Sequence, residues 1–167
     1  MILHTKRLIL KEVQAEDAAF YFALFSDPDF IKYINDKNLK SEEETKEFLQ
    51  NTMIPKLCKD GLGFFTVIEK ETKEAIGTSS ILKRDKTDFF DVGYAFLPKG
   101  RGKGYAVEAT QCIMEYAKET LKQNKVIAFT MPENKASQKV LTTLGFSYIG
   151  LQEIHEGEED SVFEYSF

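Results

Sequence analysis

The sequence predicts a mixed α/β (α+β) domain built on a mostly antiparallel sheet. Short β-rich apolar stretches separated by brief polar turns fill the middle of the chain and read as a meander. A strand, helix and strand then follow in succession, which requires one parallel pair and a right-handed crossover. Finally, 167 residues without a repeat, a low-complexity segment or a Gly/Ser/Pro-rich linker fit a single domain, 1–167.

The elements follow in order. Arg7 to Val13 alternates apolar and polar residues and predicts a strand. Glu16 to Phe25 is apolar over much of its surface and predicts a helix, stopped by Asp27-Pro28. Ser41 and Glu44 form a capping box that opens a helix through Phe48, Leu49 and Met53, which Pro55 should kink or shorten. Phe64–Lys70, Glu74–Arg84 and Phe89–Leu97 are the three meander strands. Tyr105–Leu121 is a helix with Ala106, Ala109, Ile113, Ala117 and Leu121 on one stripe. Val126–Met131 is a buried strand, Asn134–Leu144 a short helix ended by Gly145, and strands around Ser147–Ile154 and Ser161–Phe167 close the chain.

Composition narrows the function classes. The chain is 43% hydrophobic and 29% charged, as soluble globular proteins are. No apolar run is long enough for a membrane span, and "MILHTKRLIL" is too short and too charged for a signal peptide. Cys58 and Cys112 have no metal-like spacing, so a reduced cytoplasmic protein without a metal site is expected. The net charge of −5 argues against a general nucleic-acid binder. After Leu151 lie Glu153, Glu156, Glu158, Glu159, Asp160 and Glu164, with no Lys or Arg: a solvated hairpin, or a negative rim that attracts a cationic substrate.

The most specific feature is "YAFLPKGRGKGYAVEA", Tyr94 to Ala109. Three glycines, Gly100, Gly102 and Gly104, alternate with Arg101 and Lys103 between a strand and a helix. A helix N-terminus has unpaired N–H groups and the positive end of the dipole, and glycines let the backbone approach a ligand closely. The combination suits a phosphate or pyrophosphate. It is not a P-loop, because Gly104 rather than Ser or Thr follows Lys103. Counted from Gly102, the third glycine of a dinucleotide fingerprint would fall at Val107.

"RGKGYA", Arg101 to Ala106, resembles the acyl-CoA signature of the GCN5-related N-acetyltransferases, with Arg101, Gly104 and Ala106 in its named positions. "TKRLILKEVQAED", "DVGYAFLPKGRGKGYAVEA", "NKASQKVLTTLGF" and "SVFEYSF" resemble, in family order, segments of the branch that acetylates ribosomal-protein N-termini. The resemblance implies one GNAT-type domain with a splayed central parallel pair, Phe89–Leu97 and Val126–Met131, and acetyl-CoA as cofactor. It implies that backbone groups of Phe96 and Leu97 pair with pantetheine. The N–H groups of Gly102, Lys103, Gly104, Tyr105 and Ala106 would hold the pyrophosphate, with the Arg101 and Lys103 side chains near it.

The implied reaction is direct attack of a neutral amine on the thioester carbon. It needs a base and benefits from a donor to the departing sulfur. Many relatives place a tyrosine donor where this chain has Leu141. Ser137, earlier on the same helix, matches a serine of the ribosomal-protein branch and is either that donor or a helix cap. Asn134 is an N-cap, a CoA-binding amide, or both. Asp91 and Glu69 are the candidate bases, and each is also readable as structural. Glu108 suits the helix dipole. His4 and His155 show no partner pattern, and Cys112 reads as core.

The expected acceptor is a primary amine, first a basic protein N-terminus, alternatively a polyamine or aminoglycoside. A non-catalytic acyl-CoA-binding domain is the reading from a different class. The chain is expected to be a monomer or homodimer.

Overall fold

The computed structural model describes residues 1–167. One eight-stranded sheet runs in the order β1 (Ile2–His4), β2 (Leu8–Glu12), β3 (Gly63–Glu69), β4 (Ala75–Leu82), β5 (Asp91–Phe96), β6 (Lys125–Thr130), β8 (Asp160–Ser166) and β7 (Ser147–Gln152), and only β5 and β6 are parallel. The meander is as the sequence predicts, with β3 (Gly63–Glu69), β4 (Ala75–Leu82) and β5 (Asp91–Phe96) joined by antiparallel pairing. β2 (Leu8–Glu12) buries Leu8 and Leu10 on one face, as its alternation requires. It also pairs with β1 (Ile2–His4), a strand too short to show alternation and absent from the sequence reading.

The helices between β2 and β3 differ from expectation. α1 (Ala18–Phe25) ends at Ser26, but Asp27-Pro28 does more than stop it. The Asp27 carboxylate accepts the Phe30 N–H at 3.2 Å, and Pro28 occupies the first turn of a new helix, α2 (Pro28–Tyr33), where its missing donor costs nothing. At α3 (Glu42–Phe48) Ser41 Oγ caps the Glu44 N–H at 3.0 Å. The Glu44 carboxylate, however, takes the Lys40 N–H rather than that of Ser41, so the reciprocal half of the capping box is displaced by one residue. Pro55 does not end the helix. A π-helical turn, Leu49–Met53, carries α3 into α4 (Ile54–Leu57) and places Pro55 in the first turn of α4.

α5 (Tyr105–Glu119) joins β5 to β6 (Lys125–Thr130), α6 (Lys135–Thr143) follows, and β7 (Ser147–Gln152) and β8 (Asp160–Ser166) complete the sheet. Apolar side chains cover both faces. Ala109, Ile113 and Ala117 of α5 and Leu141 of α6 pack with Val92, Val126 and Ala128 on one. Tyr21, Leu24, Leu49 and Met53 form a second cluster under α1–α4 on the other. Between them the sheet has a fault. β5 and β6 share a single register pair, Asp91 with Ile127, and part beyond it, which is the splay the resemblance implies.

Candidate active site

The glycine loop is a row of unspent backbone donors. After a 3-10 turn at Pro98–Gly100, the Arg101 N–H still donates to Pro98 O at 3.1 Å. The N–H groups of Gly102, Lys103, Gly104, Tyr105, Ala106 and Val107 donate to no backbone acceptor. Gly102 and Gly104 have φ of +73° and +78°, the left-handed region that side chains disfavour, and these two turns aim the row. Gly104 is also the helix N-cap. A Ser or Asp there would consume one of the donors with its own oxygen, and glycine cannot. A row of donors on the positive end of α5 fits a diphosphate.

Side chains fix this loop from behind. Arg7 donates from Nη1 to Lys103 O (2.9 Å) and from Nε to Glu108 (2.7 Å), and its guanidinium lies 4.4 Å from the Tyr105 ring centre. Glu108 also accepts from the Thr5 hydroxyl (2.6 Å) and the Arg7 N–H (2.9 Å). Burial would raise its pKa, but these bonds overcome that and lower it. Glu108 is thus a tie between the β1–β2 turn and α5.

Three residues singled out by the sequence have partners within the chain. The Arg101 side chain does not face the donor row: it bonds Asp27 (2.6 Å), Asp29 (3.0 Å) and Phe96 O (3.0 Å), so it locks the loop to α2. Lys103 is the loop cation left without a carboxylate partner. Leu97 has its N–H spent on Ile76 O, and its C=O accepts the Gly100 N–H, so it offers no free backbone donor. Glu69 and Asp91, the two candidate bases, lie at opposite ends of the meander. Glu69 accepts the Tyr105 hydroxyl at 2.6 Å, which lowers its pKa, and it stands opposite Leu8 beyond the Phe96 end of the meander. Asp91, opposite Leu82, is at the other end. From Gly77 to Leu82 alone is roughly 17 Å of strand at about 3.4 Å per residue.

The gap between β5 and β6 is lined by backbone. Phe90 O accepts from the Ile127 N–H, whereas Leu97 N–H faces β4. By strand alternation the N–H groups of Tyr94 and Phe96 point into the gap. The Phe96 and Tyr94 N–H groups are thus free toward the gap, whereas that of Leu97 is not.

At the vertex of the gap sits Asp91, buried, on the face away from α5. Burial pushes its pKa up to about 6, against the lowering pull of Arg84, whose Nε donates to it at 3.1 Å. Arg84 lies 4.7 Å over the Phe129 ring of β6, and His155 packs against the same ring at 5.5 Å. His155 is not isolated, as the sequence suggested: its Nδ1 is 3.1 Å from the buried Asp160 carboxylate at the base of the last hairpin. Lys37, from the α2–α3 connection, lies over Phe25, Phe30 and Phe48 at 5.3, 5.9 and 5.6 Å, and burial and then the Arg84 charge lower its pKa. No local pattern in the sequence marks Arg84, Phe129, His155 and Lys37 as neighbours.

On the other wall, Asn134 is the cap of α6. Its Oδ1 accepts the Ser137 N–H at 3.2 Å, so Ser137 is not the cap. Ser137 Oγ lies instead 2.8 Å from the Tyr94 hydroxyl, which crosses from β5. Leu141 is core.

Residues 7–147 match the acetyltransferase (GNAT) domain family, and the chain belongs to it. It is 34% identical over 156 residues to the uncharacterised N-acetyltransferase p20 of Bacillus licheniformis, covering 92% of this chain and 86% of that one. It is 32% identical over 101 residues to the [ribosomal protein uS5]-alanine N-acetyltransferase of Escherichia coli, covering 59% of this chain and 52% of that one. The GNAT-family acetyltransferase structure from Bacillus anthracis superposes with a TM-score of 0.81 at 26% identity, covering 99% and 98% of the two chains. Spermidine N-acetyltransferase from Vibrio cholerae, in complex with CoA and spermine, shares the fold with a TM-score of 0.78 at 18% identity, covering 97% and 96%. The protein is an acetyl-CoA-dependent N-acetyltransferase.

Proposed function

We propose that the chain acetylates the α-amine of a protein N-terminus, of the ribosomal-protein type, in the cytoplasm. The observation that carries the mechanism is the buried Asp91 carboxylate at the vertex where β5 and β6 part. Acetyl-CoA supplies the activated acyl carbon. The Gly102–Val107 donor row, with the Lys103 charge, binds its diphosphate, and the Tyr94 and Phe96 N–H groups align the pantetheine and polarise the carbonyl.

Asp91 takes the proton of the incoming amine. A carboxylate at about 6 is largely ionised at neutral pH yet far more basic than an ordinary one. An α-amine, with a pKa near ~8, reaches its neutral form more easily than lysine near ~10.4. The nitrogen–carbon bond forms and the carbon–sulfur bond breaks with its electron pair on sulfur. Ser137 Oγ donates a hydrogen bond to that sulfur.

The acceptor assignment has two supports. The relative acting on ribosomal protein uS5 shares 32% identity across 101 residues, and Glu156, Glu158 and Glu159 stand exposed on the last hairpin, suited to a basic partner. An acetyl-CoA turnover screen tests it, with short peptides of varied first residue beside polyamines and aminoglycosides. The reading requires the highest kcat/KM on peptides, and preferred turnover of a polyamine or aminoglycoside overturns it.

A further inference from the structure

We infer that Tyr94 is a positioning residue for the departing sulfur: its hydroxyl, reaching across from β5, sets the direction of the Ser137 Oγ–H. The inference rests on the reading of Ser137 as the donor.

Ser137 has three polar groups, and Tyr94 engages two of them. The Ser137 N–H belongs to Asn134. The Tyr94 hydroxyl donates to Ser137 O at 2.9 Å and stands 2.8 Å from Ser137 Oγ. One phenolic proton cannot serve both oxygens at once, so two arrangements exist. With the proton on Ser137 O, the Tyr94 oxygen accepts from Ser137 and turns the serine proton back toward β5. With the proton on Ser137 Oγ, the serine O–H is released to point elsewhere. A rotation of one O–H bond separates the two, and no heavy atom moves. Negative charge arriving near Oγ favours the second arrangement, because both O–H dipoles then point toward it.

The phenol suits this task and not that of an acid. Burial pushes its pKa up to about 12, against the lowering effect of the Ser137 bond, so it keeps its proton at any working pH. No proton need leave Ser137 or Tyr94: the pair stabilises charge on sulfur by hydrogen bonding alone. Leu141, the other candidate position on α6, carries no donor and is buried in the core. Without Tyr94, Ser137 Oγ rotates among its staggered wells or binds back to the first turn of α6, as helix serines do.

Steady-state kinetics of Tyr94→Phe, Ser137→Ala and the double variant test this, with CoA affinity by calorimetry and thermal midpoints alongside. Tyr94→Phe lowers kcat about fivefold to tenfold, the scale of one hydrogen bond, while KM for acetyl-CoA and CoA affinity change less than twofold. The double variant is no slower than Ser137→Ala, because both lesions remove one device. Losses that multiply overturn the inference, since Tyr94 would then act without Ser137. A parent-like kcat for Tyr94→Phe beside a slow Ser137→Ala overturns it and spares Ser137 as donor. A parent-like Ser137→Ala removes that reading and the inference with it.

Discussion

The two sides of the cleft are built from different materials. The proposed cofactor side is a contiguous run of backbone, six N–H groups from Gly102 to Val107, with two left-handed glycines within it. The proposed acceptor side is an assembly of side chains from separated segments: Lys37, Arg84, Asp91, Phe129 and the His155–Asp160 pair. A backbone site survives substitution of most of its side chains but fails at one φ angle. A side-chain site tolerates change around it but fails at one functional group, and its specificity is free to vary without disturbing cofactor binding.

The largest effect should come from the acceptor side. Asp91→Asn removes the base and lowers kcat/KM by about 10²-fold or more, and the acid limb near pH 6 disappears from the pH–rate profile. The fold should respond in the opposite sense. The folded chain holds the Asp91 proton up to about pH 6, whereas an unfolded Asp releases it near ~3.9. The stabilisation from that proton is complete below about pH 4 and lost as pH rises through about 6. Thermal midpoints measured from pH 4 to 7 should therefore fall less for Asp91→Asn than for the parent. A variant with parent-like turnover would place the base elsewhere in the side-chain assembly.

On the cofactor side, Gly104→Val puts a branched Cβ at φ +78°, where only the Arg7 guanidinium stands nearby, at 3.5 Å. The obstacle is backbone conformation, not space. CoA affinity should drop at least tenfold, about 1.4 kcal/mol, by calorimetry, with kcat on saturating acetyl-CoA far less affected. Unchanged affinity in a folded Gly104→Val would show that the donor row is not the diphosphate site.

Arg101 sharpens the contrast because it joins the two sides. Arg101→Gln frees Phe96 O and leaves Asp27, buried at the start of α2, without its cation. Both CoA affinity and the acceptor KM should weaken, by roughly threefold to fivefold, a modest figure because the guanidinium is partly exposed. A change confined to CoA affinity would mean that α2 does not shape the acceptor site.

The smallest effect belongs to the acidic hairpin. Replacing Glu156, Glu158 and Glu159 with Gln should raise the acceptor KM about twofold to threefold and flatten its dependence on salt, since exposed attractions are screened beyond roughly 10 Å at 0.1 M. An unaltered salt slope would reduce the hairpin to a solvated turn.

Much of this molecule is written in local order. Apolar strand-forming runs bounded by polar turns involve only neighbouring residues, so β3, β4 and β5 are legible from Phe64 to Leu97. The need for φ > 0 at Gly102 and Gly104, and for free donors after them, is likewise local, so the cofactor loop can be read without a fold. Asp91 and Ser137 become candidates through resemblance rather than through local geometry. What tertiary structure alone decided was who meets whom. Glu69 and Asp91 look equivalent along the chain, yet the meander places one behind Tyr105 and the other at the vertex. Arg101 reads as a phosphate cation until α2, itself hidden in Asp27-Pro28, presents two carboxylates to it. Tyr94 and Ser137 lie 43 residues apart, and His155 acquires Asp160 only when the last hairpin closes. A side chain's partner depends on distances through space that no local spacing encodes, whereas a backbone turn is decided by the residues that make it.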